Sequence, residues 1–177
     1  EDFWGVGRVT TRRMHALGIR TGKDLRECSR DFLLRNFGKQ GGVYYDFARG
    51  VDLRPVQPAR IRKSVGCEHT LEQDVDTPAA LLIELYHVVL DLEGRIARSG
   101  FRGSTLTFKI KFADFSQHTR SVTRREVFET KGDILPLAKR LLAQAREELG
   151  ERPVRLLGLS VSNSLPDAPV CYVRQLK

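Results

Sequence analysis

Pro55 and Pro58, two prolines within four residues, constrain the fold of this chain more than any other feature. Proline ends a helix and pushes the residue before it into extended chain, so no helix can run through this segment. The sequence also changes character here, from short helix-like stretches before the prolines to strand-like alternation after them. We therefore predict a first domain over residues 1–53, a linker over 54–62, a second domain over 63–165 and a C-terminal tail over 166–177.

The first domain has the pattern of short helices separated by glycines. Thr10, Thr21 and Ser29 are each predicted to cap a helix, because a hydroxyl oxygen can accept a hydrogen bond from an unpaired amide of the first turn. A fourth helix is expected over about residues 40–48. We therefore expect a small all-α domain.

The clearest secondary-structure signal lies in the second domain, where Thr105–Phe112 alternates polar and apolar residues. Such alternation predicts a strand with one buried face and one solvent face. Thr77 and Asp133 are predicted N-caps of two amphipathic helices. The expected order is strand, helix, strand, strand, helix, strand over about residues 63–70, 77–98, 105–112, 118–127, 133–149 and 154–162. This order predicts an α+β domain, a four-stranded sheet with both helices on one face.

The charge of the chain favours an anionic partner. Lysine and arginine total 30 against 22 aspartates and glutamates, which gives a net charge of +8. Residues 1–60 hold 12 basic and 7 acidic residues, and residues 101–125 hold 6 and 1, whereas residues 61–100 hold 4 and 7. Nucleic acid is the first candidate partner and an anionic membrane surface the second.

A membrane-spanning segment is not expected. A span needs roughly 18 apolar residues, and the apolar run 81–92 is interrupted by Glu84, His87 and Asp91. The N-terminus also lacks the basic and apolar regions of a signal peptide. We therefore expect no membrane partner and a cytoplasmic location.

The first candidate site is the segment Trp4–Thr10, which fits the turn of a helix-hairpin-helix motif. Two glycines permit a tight turn, and the following helix then starts with amides that point outward and carry partial positive charge. A DNA phosphate can bind there without any base being read. The alternative is a plain turn between two helices. The predicted backbone contacts are Gly5, Gly7, Arg8, Thr10 and Arg12.

The solvent face of the predicted sheet is the second candidate site. It combines short hydroxyls with long cations, which suits a nucleic-acid backbone. Phe108 and Phe112 point to the core instead, which argues against a sheet that stacks RNA bases on exposed aromatics. The alternative is a solvated face on which the lysines serve solubility. The predicted DNA contacts here are Thr105, Thr107, Lys109, Lys111, Arg120, Thr123 and Arg124.

No catalytic or metal site emerges from the sequence. Asp74 and Asp76 precede a predicted helix start, where carboxylates suit the helix dipole. The four histidines have no evident nucleophile as a partner. The three cysteines form no CxxC pair, and no histidine lies three to five residues from another, so neither a structural zinc site nor a disulfide framework is predicted.

Several of these segments together resemble the thumb and little finger of Y-family translesion DNA polymerases, above all the bacterial DNA polymerase IV type. The resemblance to the thumb rests on Gly5–Thr10, Leu17–Ile19, Phe37–Lys39 and Ala48–Asp52. The resemblance to the little finger rests on Arg62–Gly66 with Glu68, Thr70 and Asp74, on Leu106–Phe115 and on Thr119–Ser121. The segments follow the order of the family over nearly the whole chain.

The resemblance implies a helical thumb tethered to a little finger, which together grip a primer–template duplex through its backbone. It adds Lys63, Ser64 and Ser121 to the expected DNA contacts and implies a bacterial cytoplasm, at the nucleoid. The family binds two magnesium ions through carboxylates of a palm upstream of the thumb, and this sequence has no counterpart of the palm. The resemblance therefore implies a non-catalytic part of a nucleotidyltransferase, without a cofactor of its own.

The C-terminal residues carry one more implication. Gln175 and Leu176 resemble the start of a peptide that docks on the bacterial sliding clamp. Two other functions stay open: a non-catalytic accessory protein of DNA repair, and a module that docks on the clamp or a repair partner. Binding to duplex DNA of any sequence that weakens steeply with salt would favour the polymerase interpretation.

Overall fold

A computed structural model describes residues 2–164 and 170–172 of the chain. The chain divides into two compact units between Val56 and Gln57, so that residues 1–56 form unit 1 and residues 57–177 form unit 2. The division lies inside the predicted linker, where Leu53 and Val56 are 90% and 94% exposed. An exposed, proline-bearing segment between two cores is typical of a domain boundary.

Unit 1 is built from four short helices, which confirms the predicted all-α fold. The third and fourth helices approach closely at Gly41, where an added Cβ would lie 2.0 Å from the carbonyl oxygen of Leu33. The buried side chains of the core are Val6, Met14, Ile19, Leu25, Leu33 and Tyr44. The helices are α1 (Arg8–Ala16), α2 (Gly22–Glu27), α3 (Arg30–Phe37) and α4 (Lys39–Phe47).

Hydroxyl caps start α2 and α3, as the sequence predicted. The side chain of Thr21 accepts a hydrogen bond from the amide of Asp24 at 3.2 Å, and that of Ser29 accepts one from the amide of Phe32 at 3.2 Å. Each bond satisfies one of the amides that a helix leaves unpaired at its start.

The start of α1 differs from the prediction, because Thr10 is not its cap. The N-cap is Gly7, in an extended conformation, and Thr10 lies within the first turn. The helix starts earlier because the carbonyl oxygen of Gly7 already accepts a hydrogen bond from the amide of Thr11 at 2.9 Å.

Unit 2 contains the predicted strand–helix–strand–strand–helix–strand order, which confirms the α+β class. Its main sheet has four antiparallel strands, which lie in the order Ser64–Val75, Val154–Ser164, Gly103–Phe112 and Gln117–Thr123. The elements are β1 (Ala59–Ile61), β2 (Ser64–Val75), α5 (Pro78–Ser99), β3 (Gly103–Phe112), β4 (Gln117–Thr123), α6 (Lys131–Leu149), β5 (Val154–Ser164) and β6 (Val170–Tyr172).

Strands β1 and β6 form a separate two-stranded antiparallel sheet that the sequence did not predict. Ala59 pairs with Tyr172, Arg60 with Cys171 and Ile61 with Val170. These short segments fall in the predicted linker and tail. Three residues are too few to show an alternating pattern, so periodicity could not reveal them.

Helices α5 and α6 cover one face of the main sheet and leave the other face open. Strand β3 alternates strictly, with Leu106, Phe108, Ile110 and Phe112 buried and the residues between them partly exposed. The buried set belongs to one core with the apolar faces of both helices. The alternation of the strand therefore fixes which face the helices cover.

The two long helices, α5 and α6, begin and end at residues that commonly cap helices. Helix α5 has Thr77 as N-cap with Pro78 in its first turn, and it ends at Gly100 in the left-handed conformation. Helix α6 corrects a prediction, because its N-cap is Thr130 and Asp133 is the third residue of the first turn. Both residues take part in a capping box, which explains why Asp133 looked like a cap.

The described helices include none that could span a membrane. Helix α5, with 22 residues, is the longest of them. No helix of the described residues is both long and apolar enough to cross a bilayer.

Candidate nucleic-acid interface

The Gly5-Val6-Gly7 segment leads directly into α1 and leaves the start of that helix open. Gly5 has a φ of +81°, which side-chain-bearing residues rarely adopt. Helix α1 begins without a side-chain cap and without an acidic residue in its first turn. Its outward-facing amides therefore keep the partial positive charge of a helix N-terminus.

Contacts with α4 hold the glycine segment in place. The hydroxyl of Tyr44 donates a hydrogen bond to the carbonyl oxygen of Gly5 at 3.1 Å. The ring of Trp4 meets that of Phe47 edge-on, with 5.4 Å between centroids, and the guanidinium of Arg54 lies over both rings. The segment is thus anchored by α4 rather than free to move as an open loop.

Two arginines of α1, Arg8 and Arg12, are available to contact a ligand. Arg8 and Arg12 are exposed and one helical turn apart, so they share a face of α1. Neither has an ion pair within the described residues. Thr10, two residues from each of them, is partly exposed on the other side of the helix. The predicted thumb residues therefore do surround one helix start.

The strand register places a ladder of small polar side chains on the open face of unit 2. In the first row, Ser64 of β2 pairs with Ser162 of β5, which pairs with Thr105 of β3, which pairs with Thr123 of β4. In the second row the same strands contribute Gly66, Ser160, Thr107 and Ser121. These two rows, which we call the hydroxyl rows, cross the whole sheet.

Hydrogen bonds between neighbouring strands order the hydroxyl rows. The hydroxyls of Thr105 and Thr123 are 2.8 Å apart, and those of Thr107 and Ser121 are also 2.8 Å apart. One hydroxyl of each pair donates to the other, so each pair still has a proton to offer to an outside acceptor. The rows can thus present neutral donors to phosphate oxygens.

An ion pair occupies the third row of the open face. Lys109 Nζ of β3 donates to both carboxylate oxygens of Glu68 on β2 at 2.8 and 2.9 Å, although strand β5 lies between the two strands. Gly158 of β5 lies between the two and makes the contact possible, since an added Cβ there would be 2.9 Å from Glu68 Cγ. The predicted contact Lys109 is therefore neutralised by Glu68 in the free protein.

The hairpin between β3 and β4 ends the open face with an exposed aromatic ring. Lys111 Nζ lies 4.8 Å and the Arg155 guanidinium 4.9 Å from the ring centroid of Phe115. Arg155 also pairs with Asp74 at 3.4 Å. Lys111 has no acidic partner among the described residues, so it remains a free cation on this face.

Two predicted contacts do not lie on the open face. Arg120 pairs with Phe108 across the strands, so its side chain starts on the helix-covered face, where it forms an ion pair with Glu148 of α6. Arg124 follows β4, pairs with Asp133 at 3.2 Å and lies over the ring of Phe128. Both arginines are committed to contacts within unit 2.

Of the remaining predicted contacts, some are described by the structure and two lie outside the described residues. Lys63 is exposed and comes directly before Ser64, at the edge of the hydroxyl rows. The proposed clamp residues Gln175 and Leu176 lie outside the described residues. Sequence reasoning overlooked Ser160 and Ser162, although β5 alternates them with buried Leu159 and Val161 just as β3 does.

The two units have the folds of the thumb and little finger of a Y-family DNA polymerase. A chimeric Y-family DNA polymerase of known structure matches with a TM-score of 0.74 at 21% identity, over 92% of this chain and 46% of that one. Residues 62–176 match the impB/mucB/samB family C-terminal domain, and residues 1–52 match the DNA polymerase-iota thumb domain. The chain therefore belongs to the impB/mucB/samB family, which confirms the resemblance seen in the sequence.

Curated relatives of this chain are bacterial DNA polymerases IV. The one from Bacteroides fragilis is 58% identical over 168 residues, which cover 95% of this chain and 46% of the relative. The one from Akkermansia muciniphila is 53% identical over 163 residues, which cover 92% and 45%. The chain thus spans less than half the length of these relatives.

Proposed function

We propose that this chain is the DNA-gripping thumb and little finger of a bacterial DNA polymerase IV, and that it binds the backbone of a primer–template duplex regardless of sequence. The observation that carries the proposal is the pair of hydroxyl rows across the open face of unit 2. The relatives' identity as DNA polymerases IV supports the choice of ligand. Nucleotidyl transfer is assigned to the longer protein, and the grip to this chain.

On the open face, neutral donors and cations divide the work of binding phosphates. Hydroxyls such as Thr107 and Ser121 donate hydrogen bonds that fix the position of the backbone. Lys63 and Lys111, both outside ion pairs within the described residues, attract the polyanion and release its condensed counterions. Neither kind of contact reads a base, so affinity should not depend on sequence.

On unit 1, the start of α1 supplies a second backbone contact. The amides that follow Gly7 point away from the helix, and Arg8 and Arg12 place two charges beside them. A phosphate at this position gains hydrogen bonds and favourable interaction with the helix dipole. Loss of the arginines should weaken binding to every duplex alike.

The absence of aromatic side chains from the hydroxyl rows argues against single-stranded RNA as the ligand. Proteins that read single strands stack bases on exposed aromatics of the sheet. The described part of the two rows holds serine, threonine and glycine alone. A duplex backbone therefore fits this surface better than unpaired bases.

Fluorescence anisotropy of the 177-residue chain on two labelled primer–template duplexes of unrelated sequence tests the proposal. We expect equal affinities for both duplexes, and a linear fall of log affinity with log salt. Thr105→Val with Thr107→Val should weaken both complexes, by roughly two- to tenfold per hydroxyl if each hydrogen bond contributes 0.5–1.5 kcal/mol. Absence of binding at low salt, or a strong preference for one sequence, would refute the proposal.

Three finer assignments complete the proposal. The two magnesium ions of catalysis are assigned to carboxylates of the longer protein rather than to Asp74, which is paired with Arg155. Contact with the sliding clamp is assigned to Gln175 and Leu176, as the sequence suggests. The bacterial cytoplasm follows as the location, because that is where a chromosomal duplex is available.

A further inference from the structure

A thiol, an imidazole and a carboxylate meet at the rim of the unit 2 core, on the opposite side of the sheet from the hydroxyl rows. Cys67 and His69 are two residues apart on β2, so both side chains face the helix layer. Asp91 reaches them from α5. One ligand atom from each of the three residues lies within 4.8 Å of the other two.

We propose that Cys67, His69 and Asp91 bind a single Zn²⁺ ion, with water as the fourth ligand. Sulfur, imidazole nitrogen and carboxylate oxygen are the donors that zinc takes in proteins, and thiolate with imidazole disfavours magnesium and calcium. His69 Nε2 lies 3.3 Å from Asp91 Oδ2. That is about the separation of two ligands that each lie 2.0–2.1 Å from a tetrahedral zinc ion.

Arg95 contacts the proposed ligand Asp91 but is not itself a ligand. Its Nε donates to Asp91 Oδ1 at 3.0 Å, and its Nη1 donates to the carbonyl oxygen of Gly66 at 3.0 Å. The second oxygen of Asp91, Oδ2, is the one that faces His69. Arg95 therefore orients the carboxylate in the way that outer-shell partners orient metal ligands.

Burial of the three groups sets the access and the chemistry of binding. Cys67 is 5% exposed and its Sγ donates to the carbonyl oxygen of Val88 at 3.3 Å. His69 and Asp91 side chains are 32% and 29% exposed, so a metal ion can enter between them from solvent. On binding, a sulfur–zinc bond replaces the S–H bond and the proton passes to solvent.

Cobalt titration of the metal-stripped 177-residue chain tests the site directly. We expect one equivalent of Co²⁺ to give a thiolate-to-cobalt absorption band with tetrahedral visible bands, and Zn²⁺ to displace it and raise Tm. The chain holds two other cysteines, so the double variant Cys28→Ser with Cys171→Ser serves as the control. That variant should keep both the band and its stoichiometry.

Three substitutions decide whether the named residues are the ligands. Cys67→Ser should abolish the thiolate band. His69→Gln, at a half-buried position, should weaken the binding of Co²⁺ and Zn²⁺ by at least the roughly tenfold that even outer-shell changes cause. His87→Gln, exposed on α5 beside Glu84, is the matched control and should change nothing.

The results of these titrations test the zinc site independently of the DNA-binding surface. No thiolate band in the parent chain, a band that survives Cys67→Ser, or unchanged affinity in His69→Gln would each overturn the proposal. A band lost in the Cys28 and Cys171 double variant would do the same. Because the cobalt signal involves no DNA, it stands or falls independently of duplex binding.

Discussion

Glu68 is an acidic residue on a face that we propose binds a polyanion. Its carboxylate holds Lys109 through two hydrogen bonds across Gly158. A duplex that approaches this face meets a neutral pair instead of a free lysine, and phosphates must compete with Glu68 for it. The pair therefore lowers the affinity of the open face below what its lysines could supply.

Removing the charge of Glu68 should strengthen duplex binding. In Glu68→Gln, Lys109 is free to contact a phosphate, so log affinity should fall more steeply with log salt by about 0.9, the value for one added contact. Anisotropy on the primer–template duplex measures both the affinity and the slope. Glu147→Gln, an exposed position on α6, makes the same change in net charge away from this face.

The partner substitution supplies the internal check on this ion pair. Lys109→Met leaves Glu68 unpaired on the open face and should weaken duplex binding. The double variant Glu68→Gln with Lys109→Met should return close to the parent affinity. If Glu147→Gln strengthens binding as much as Glu68→Gln does, net charge explains the effect. If Glu68→Gln leaves an otherwise normal complex unchanged, the ion pair does not limit binding.

At the scale of the element, the start of α6 depends on one ionised carboxylate. Asp133 accepts hydrogen bonds from the amide and hydroxyl of Thr130 at 3.0 and 2.8 Å. The amide of Thr130, followed by its side chain and Arg124, lowers the pKa of Asp133 from 3.8 to about 2. The folded state therefore holds this proton more weakly than the unfolded state does.

Stability of unit 2 should therefore fall with the protonation of Asp133. Because the folded pKa is depressed, the contribution is complete above 3.8 and is lost as the pH falls towards about 2. Asp133→Asn should lower the free energy of unfolding by about 1 kcal/mol at neutral pH, in line with other capping losses. Urea unfolding at neutral pH and at steps down this range measures the difference.

The difference in the free energy of unfolding between the parent and Asp133→Asn, rather than the stability of either protein, shows whether Asp133 is the titrating group. It should shrink as the pH falls through this range, because the parent loses the same interaction that Asp133→Asn lacks. Glu147→Gln serves again as the charge-matched control and should track the parent at each pH. A gap that stays constant with pH would show that the carboxylate charge does not stabilise the helix start.

Long elements with a clear pattern of apolar and polar residues were predictable from the sequence. The sheet face that each side chain of the mostly polar strand β4 takes was not predicted. The alternation of Thr105–Phe112 located both the core face and the open face, because apolar and polar residues take opposite sides of β3. Strand β4 is polar except for Val122, so one residue alone indicates in its sequence which of Arg120 and Ser121 faces the core. Arg120 lies on the side of Val122, and its pairing with Phe108 of β3 places it on the helix side.

Contacts between residues distant in sequence were also beyond prediction. Glu68 and Lys109 are 41 residues apart, and their contact requires both the register and the glycine of a third strand. Cys67 and His69 show a spacing of two on a strand, but their partner Asp91 comes from a helix 22 residues beyond His69. Local patterns identify elements, whereas such sites arise from their assembly.

At the scale of the whole molecule, basic residues on both units should contribute separately to one grip. Arg8 and Arg12 belong to unit 1, and Lys63 and Lys111 to unit 2, with an exposed linker between the units. We expect Arg8→Gln with Arg12→Gln to reduce the salt slope by about 1.8 on every duplex, and Lys63→Gln with Lys111→Gln to do the same. Combined, the two pairs should reduce it by about 3.6.

A third pair of substitutions separates local phosphate contacts from the charge of the molecule. Lys139 and Arg140 are exposed on α6, on the helix side of the sheet, so Lys139→Gln with Arg140→Gln removes two charges away from the open face. This pair should leave the slope unchanged. An equal reduction by all three pairs would mean that long-range attraction alone holds the duplex. A reduction by only one of the first two pairs would assign the grip to that unit, since counterion release counts only phosphates that a residue neutralises.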